Sequence, residues 1–220
     1  VSSWFFAKNY MKLYETTFLK ISFNQRLTKK INIAPLLEYN HFSPLENHVS
    51  YQLSEKKEFS PNIPKGFSEN DKSLAAQKST VFGVVANYRV YLQKPWLEKS
   101  NFLFMNDFYS FQLYYKQGVK NVFSSVSDFN QIDFSFQQQA NISPSAGIDW
   151  KINTGHFFQS EQMHFSQFKH FKTDEIPVSF RSFTHTFQLL NDYEFSTGKS
   201  YLIVGAEYRS EYLLLRYLSI

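Results

Sequence analysis

The feature that most constrains this chain is a two-residue alternation of apolar and polar side chains that returns along its whole length. "KISFNQRLTKKINIAPLLEYNH" (20–41) shows it first. Ile21 and Phe23 alternate with Ser22 and Asn24; beyond a basic turn, Ile31, Ile33, Leu37 and Tyr39 alternate with Asn32, Glu38 and Asn40. "VFGVVANYRVY" sets Phe82, Val84, Ala86, Tyr88 and Val90 on one face. "FQLYYKQ" sets Phe111, Leu113 and Tyr115 against Gln112 and Lys116. "QIDFSFQQ" opposes Ile132, Phe134 and Phe136 to Gln131, Asp133, Ser135 and Gln137. "GIDWKIN" opposes Ile148, Trp150 and Ile152 to Asp149, Lys151 and Asn153. "FTHTFQL" opposes Phe183, Phe187 and Leu189 to Thr184, Thr186 and Gln188. In "YLIVGAEYR" the pattern blurs, because Ile203 sits among Tyr201, Gly205, Glu207 and Arg209. Successive side chains point to opposite faces of a strand, so each stretch has one greasy and one wet face. No stretch of useful length has a 3.6-residue period. The chain reads as all-β with antiparallel neighbours and at least eight strands.

Composition narrows the setting. Phe (25) and Tyr (14) are abundant, which suits strands, and there is no Cys, which excludes disulfides and thiolate metal sites. The net charge of +4 is spread along the chain without a block of five basic residues, so nucleic acid is a poor partner. No run approaches the roughly 18 apolar residues of a membrane helix. The chain opens at Val1 without a signal-peptide pattern, so it reads as a fragment or a processed product.

The connections fall into two kinds. Short ones lie at 26–30, 141–145 and 191–199; long ones lie at 42–79 and 158–179. The segment 42–79 holds three prolines and ten charged residues. A structureless loop of that length is improbable inside a compact soluble domain. Short turns at one rim and long polar loops at the other belong to an outer-membrane barrel, and the connection at 92–107 is longer than that scheme wants.

The polar faces are rich in Gln, Asn, Ser and Thr rather than crowded with Lys and Glu, which suits a wet lumen. The apolar faces are bulky on strand after strand, whereas a small soluble barrel must taper its interior. The reading is therefore an antiparallel transmembrane β-barrel, or a partly open piece of one. Its lipid-facing residues are Ile21, Phe23, Ile33, Leu37, Phe111, Leu113, Ile132, Phe134, Phe136, Ile148, Trp150, Ile152, Phe183 and Phe187. Its lumen-facing residues are Ser22, Asn24, Asn32, Glu38, Gln131, Asp133, Ser135, Asp149, Lys151, Thr184 and Thr186. The alternative is a soluble periplasmic or extracellular β-barrel with its aromatics turned inward around an apolar ligand. Pro35 falls on an apolar face without a donor for the ladder, so it predicts a bulge or bend. His185, between Phe183 and Phe187, fits a membrane interface better than mid-depth.

"NYMKLYETTFLKISFNQRLTKKINIAPLLEYNHFSPLENHVSY" resembles the C-terminal region of the DUF5686 family of Bacteroidota. The likeness rests on Asn9, Tyr10, Lys12, Leu13 and Tyr14, on Pro44 to Asn47, on "FQLYYKQGV" followed by "DFNQIDFSF", on Phe168 to Phe171, and on "FQLLNDYEFSTGKSYL". It covers nearly the whole chain. It implies an outer-membrane β-barrel segment in the envelope of a Gram-negative bacterium, with outer-membrane lipid and possible envelope proteins as partners. It implies no reaction and no cofactor. Such proteins usually carry an N-terminal carboxypeptidase-regulatory-like β-sandwich, which is missing here. The chain also stops at "EYLLLRYLSI", without a terminal strand ending in Phe, so a truncated barrel with an unpaired seam is expected.

Three other features invite a chemical reading. "STGKS" (196–200) resembles the end of a phosphate-binding loop, but Tyr193 stands where that motif needs Gly, and a strand follows rather than a helix. A turn glycine accounts for it. His156, His164 and His170, with Glu161, have a donor set suited to zinc but match no standard spacing. They read as loop or rim histidines, and no metal is assigned. Asp174 and Glu175 sit in a polar loop, and there is no G-x-S-x-G elbow and no thiol nucleophile. No catalytic residue is assigned and the expectation is a non-enzyme.

Overall fold

A computed structural model describes residues 14–45, 62–64, 67–68, 71–92, 107–143, 146–174, 186–188, 190–191 and 193–210. Its body is one antiparallel eight-stranded sheet in the order β1-β3-β4-β5-β6-β7-β10, with β2 also pairing with β3. The strands are β1 (Tyr14–Ser22), β2 (Gln25–Arg26), β3 (Ile31–Pro44), β4 (Gln77–Leu92), β5 (Asp107–Gly118), β6 (Asp128–Ser143), β7 (Ala146–Gln162) and β10 (Ser200–Ser210). A separate parallel pair joins β8 (Thr173–Asp174) to β9 (Phe187–Gln188). The described residues contain no α-helix, only three one-turn 3-10 segments.

β1 and β2 are one strand interrupted by Pro35. Ser22 pairs with Leu36 and Gln25 with Ile33, so the register is unchanged across the gap. Phe23 N–H donates to the Pro35 carbonyl at 3.1 Å, but the proline nitrogen has no hydrogen to return. The expected bulge is therefore a break in the ladder without a shift.

The register assigns the faces. Ile33, Ala86, Leu113, Phe134, Thr154 and Leu202 form one cross-sheet row, and Phe111, Phe136, Ile152 and Val204 form the next. The opposite face carries Asn32, Asn87, Gln112, Ser135, Asn153 and Ile203 in one row. β10 is thus regular: Leu202, Val204, Ala206 and Tyr208 share the apolar face, and Ile203 is the exception on the polar one.

The polar face is the concave one. Residues from β3 through β7 line a single cavity on it. A segment that follows β7 also reaches across to β1, where Tyr14 meets His164 edge-on at 5.5 Å. Yet β1 and β10, the two sheet edges, do not pair with each other among the described residues.

Two expected elements differ. The stretch 183–189 does not supply a strand of the main sheet. Its described part, Thr186 to Gln188, lies in the β7–β10 connection, which leaves and returns at one rim because β7 and β10 are antiparallel neighbours. Phe183, Thr184 and His185 lie outside the described residues. The short connection expected at 191–199 is accordingly the end of that long one. The long connections are also shorter than expected at their ends, since β3 runs on to Pro44, β4 begins at Gln77 and β7 runs to Gln162.

Candidate functional site

The concave polar face is a trough with two distinct ends. At the end where the long connections gather, β4, β6 and β7 turn Val81, Phe129 and Phe157 inward, and Met163 packs on them to form the buried core. Gly118 makes this packing possible, because a Cβ there would stand 2.6 Å from the Phe129 ring. β7 carries an extra residue opposite β6 at this level: Gln131 pairs with Phe157 and Asn130 with Gln159. Alternation turns Phe157 inside and Phe158 outside, and the bulge leaves Gln159 outside as well.

Over this core lies a cap made by Met163 to Phe171. The His164 ring accepts from Ser166 N–H, and His164 N–H donates to the Gln167 side-chain oxygen, a reciprocal cap of the 3-10 turn Phe165–Gln167. The Gln167 amide donates to Ser79 Oγ on β4 at 2.7 Å, with both residues buried. The His164 ring stacks on Phe42 of β3 with centroids 4.1 Å apart. Phe67, from the β3–β4 connection, packs against Phe165 at 4.8 Å. On the other flank, the Lys169 ammonium lies over the Tyr201 ring at 4.7 Å. The cap therefore ties β1, β3 and β4 to β7 and β10 across the mouth of the trough. Burial pushes the His164 pKa down to about 4; burial likewise lowers that of His170, helped by Lys169 and opposed by a hydrogen bond with the Phe165 backbone. Both imidazoles are neutral at pH 7.

A second fold of chain braces this rim. Residues 119–127 are pinned to β4 by Val119 N–H to the Thr80 carbonyl, Val126 N–H to the Lys78 carbonyl, and Thr80 N–H to Ser125 Oγ. Asn121, Phe123 and Ser124 hold positive φ angles of 65°, 50° and 62° there. For Phe this is a strained conformation, held by the bonds around it.

The middle of the trough is polar and charged. Lys20 and Glu38 face each other across β1 and β3 and form an ion pair. The Gln131 amide donates to Asp133 Oδ2 at 2.8 Å. Gly155, opposite Asp133, leaves the space that the Asp133 carboxylate and the Tyr201 ring occupy; a Cβ there would collide with both. Toward the short-turn end the trough widens into a cavity of about 840 Å³ between β2, β3, β4, β5, β6 and β7.

Against this geometry the sequence-predicted residues fall as follows. Ile21, Ile33, Leu37, Phe111, Leu113, Ile132, Phe134, Phe136, Ile148, Trp150 and Ile152 share the outer face, and Phe23 keeps their phase between β1 and β2. Ser22, Asn32, Glu38, Gln131, Asp133, Ser135, Asp149 and Lys151 share the trough, with Asn24 in phase. Phe187 and Thr186 stand apart from both, Thr186 buried and Phe187 edge-on to Phe171 at 6.1 Å. The three histidines are not gathered. His156 is on the outer face bonded to Ser200 Oγ, His164 is in the cap bonded to Ser166 Oγ, and His170 bonds Ser196 Oγ. Among the described residues no three metal-ligating side chains come together. Gly198 sits in the turn before β10, with Met163 3.0 Å from where its Cβ would be. The cap is what the sequence reading missed; its signal was His164 three residues before Gln167, a capping-box spacing with His in place of Ser or Thr.

No curated protein matches this chain, and no solved structure does. The chain matches the family of unknown function DUF5686, C-terminal domain, over residues 1–220, and it belongs to that family.

Proposed function

We propose that this chain is the lipid-embedded wall of an outer-membrane β-barrel, with a structural or transport-associated role rather than a catalytic one. The carrying observation is an inverted pattern of burial. On β6, Ile132 and Phe134 are 37% and 39% exposed while Gln131 and Gln139 are 5% exposed. A soluble domain turns its large apolar side chains inward and rarely exposes a contiguous apolar patch of this extent. Lipid reverses the requirement, with apolar residues outward and polar ones around a wet interior.

The slant of the apolar band supports the same reading. On the outer face of β7 it ends at Ile152, before Thr154; on β6 at Ile132, before Asn130; on β4 at Phe82, before Thr80; and on β1 at Leu19, before Thr17. Ile152 is level with Ile31 across the sheet, whereas Leu19 is level with Tyr39. The limit thus climbs eight residues (31 to 39) over five strand spacings, or about 27 Å along the strands for about 24 Å across them. That slope of roughly 45–50° is what a flat slab of lipid requires of strands tilted by about 35–45°. Trp150 and Tyr109 stand in one outer row near the short-turn end, where an interfacial girdle belongs. Strands of 14 to 17 residues (β3, β4, β6, β7) also exceed the usual length in globular proteins.

The reading places the long connections outside the cell. Protease added to intact cells carrying the full-length protein should cut first within the β3–β4 connection. Protection there, with cleavage near 26–30, would contradict this orientation. Recovery of the protein in the aqueous fraction without detergent would contradict the membrane reading itself.

A further inference from the structure

We infer that the cavity at the short-turn end of the trough is a binding site for an anionic, hydroxyl-rich solute, a sugar carrying phosphate or carboxylate. Five cations line it: Arg26 of β2, Lys29 and Lys30 of the turn, Arg89 of β4 and Lys151 of β7. None of its described lining residues is acidic. Asp149, two positions from Lys151 on the same face, accepts from the Gln137 amide at 3.5 Å, and Glu207 stands opposite Asp149 on β10; two neighbouring carboxylates against five cations still leave the wall net positive.

Five like charges around one concavity repel each other, so the arrangement is favourable when an anion enters. The two arginines add a planar fork of donors that suits phosphate or carboxylate. Charge alone would fit any anion; the rest of the wall selects hydroxyls. Asn32, Asn87, Gln112 and Gln137 present amides to the cavity, and Ser110 and Ser135 present hydroxyls. Gln112 donates to Asn87 Oδ1 at 2.8 Å, which orients both amides. The Asn32 Oδ1 acceptor is buried, and no donor among the described residues reaches it. A ligand hydroxyl supplies such a donor. At about 840 Å³ the space is of the size that holds small organic ligands. The position is also fixed, since Arg89 N–H donates to the Lys30 carbonyl at 2.9 Å and ties the basic turn to β4.

The inference goes beyond the membrane reading and stands apart from it, because it concerns the opposite face. Titration of the detergent-solubilised full-length protein with glucose 6-phosphate, inorganic phosphate and glucose, followed by calorimetry, tests it. Saturable binding of glucose 6-phosphate is expected, with glucose weaker by on the order of tenfold or more. Inorganic phosphate should fall between them, lacking the hydroxyls. Lys30→Gln, at an exposed turn position, and Lys151→Gln should each weaken glucose 6-phosphate several-fold, and Lys72→Gln, outside the cavity, should not. Equal binding of glucose and glucose 6-phosphate, no saturable binding of either, or wild-type affinity in both cavity variants would overturn it.

Discussion

Phe134 and Asp133 are adjacent in sequence and opposite in environment, and they carry the sharpest residue-scale test. A cation at mid-depth on a lipid face costs roughly 2–4 kcal/mol. Phe134→Arg should therefore impair assembly into membranes, while Asp133→Asn, which keeps a polar side chain on the trough face, should be tolerated. Equal assembly of the two variants, measured by heat-resistant migration of the membrane fraction, would refute the facing. His164 gives a second test. Its folded pKa of about 4 lies below the ordinary 6.5, so between these values the unfolded state takes up a proton that the folded cap does not. The stability of the cap is full above pH 6.5, declines as pH falls toward 4 and levels below it, with a total of roughly 3 kcal/mol at most. Amide exchange of 163–168 should accelerate across that window. His164→Asn keeps an N-cap acceptor without the titration and should flatten the profile. At Gly155, substitution by Ala would drive a methyl into Asp133 and Tyr201, for a loss of about 1–3 kcal/mol of stability, read as a lowered denaturation midpoint.

At the scale of elements, what the sequence revealed follows from the locality of its signals. The alternation of β3 to β7 is written in each strand, because successive side chains point to opposite faces; Gln131–Gln137 and Ile148–Asn153 lie in β6 and β7 as their alternation predicts. β10 read as blurred because Ile203 was weighed against its sequence neighbours, whereas register with Asn153 of β7 decides its face. The stretch 183–189 alternates as well, yet its described part belongs to a connection. Alternation alone does not record whether a segment returns to the rim it left. The cap was illegible for a related reason: Gln167 finds Ser79, 88 residues away, and nothing local announces that contact. Pro35 was legible as a disturbance, though not as a break that preserves register. Pro35→Val would restore the missing donor toward Phe23. The expected result is one continuous strand from 14 to 26, with new exchange protection at position 35; an unprotected amide there would show that the ladder is broken for another reason.

At the scale of the whole molecule, the sheet curls far enough for its cap to reach β1 but, among the described residues, leaves β1 and β10 as edges. In a bilayer such edges would have no partner for their N–H and C=O groups. The seam expected between the strands near 18–25 and 201–209 is thus an unpaired one among the described residues. The 220-residue chain expressed by itself should not persist in phospholipid vesicles as a protease-resistant monomer, and recovery of such a monomer would contradict this. The account nevertheless rests on one claim above all: that the aromatic face meets lipid and the amide-rich face meets water. The chain has no cysteine, so single Cys substitutions from 131 to 137 can each carry a spin label with no background to remove. In the full-length protein reconstituted in vesicles, collision rates should alternate with period two. Labels at 132, 134 and 136 should meet oxygen, which concentrates in lipid, and labels at 131, 133, 135 and 137 should meet a water-soluble nickel complex. A flat profile, or the same alternation with its phase reversed, would contradict the account.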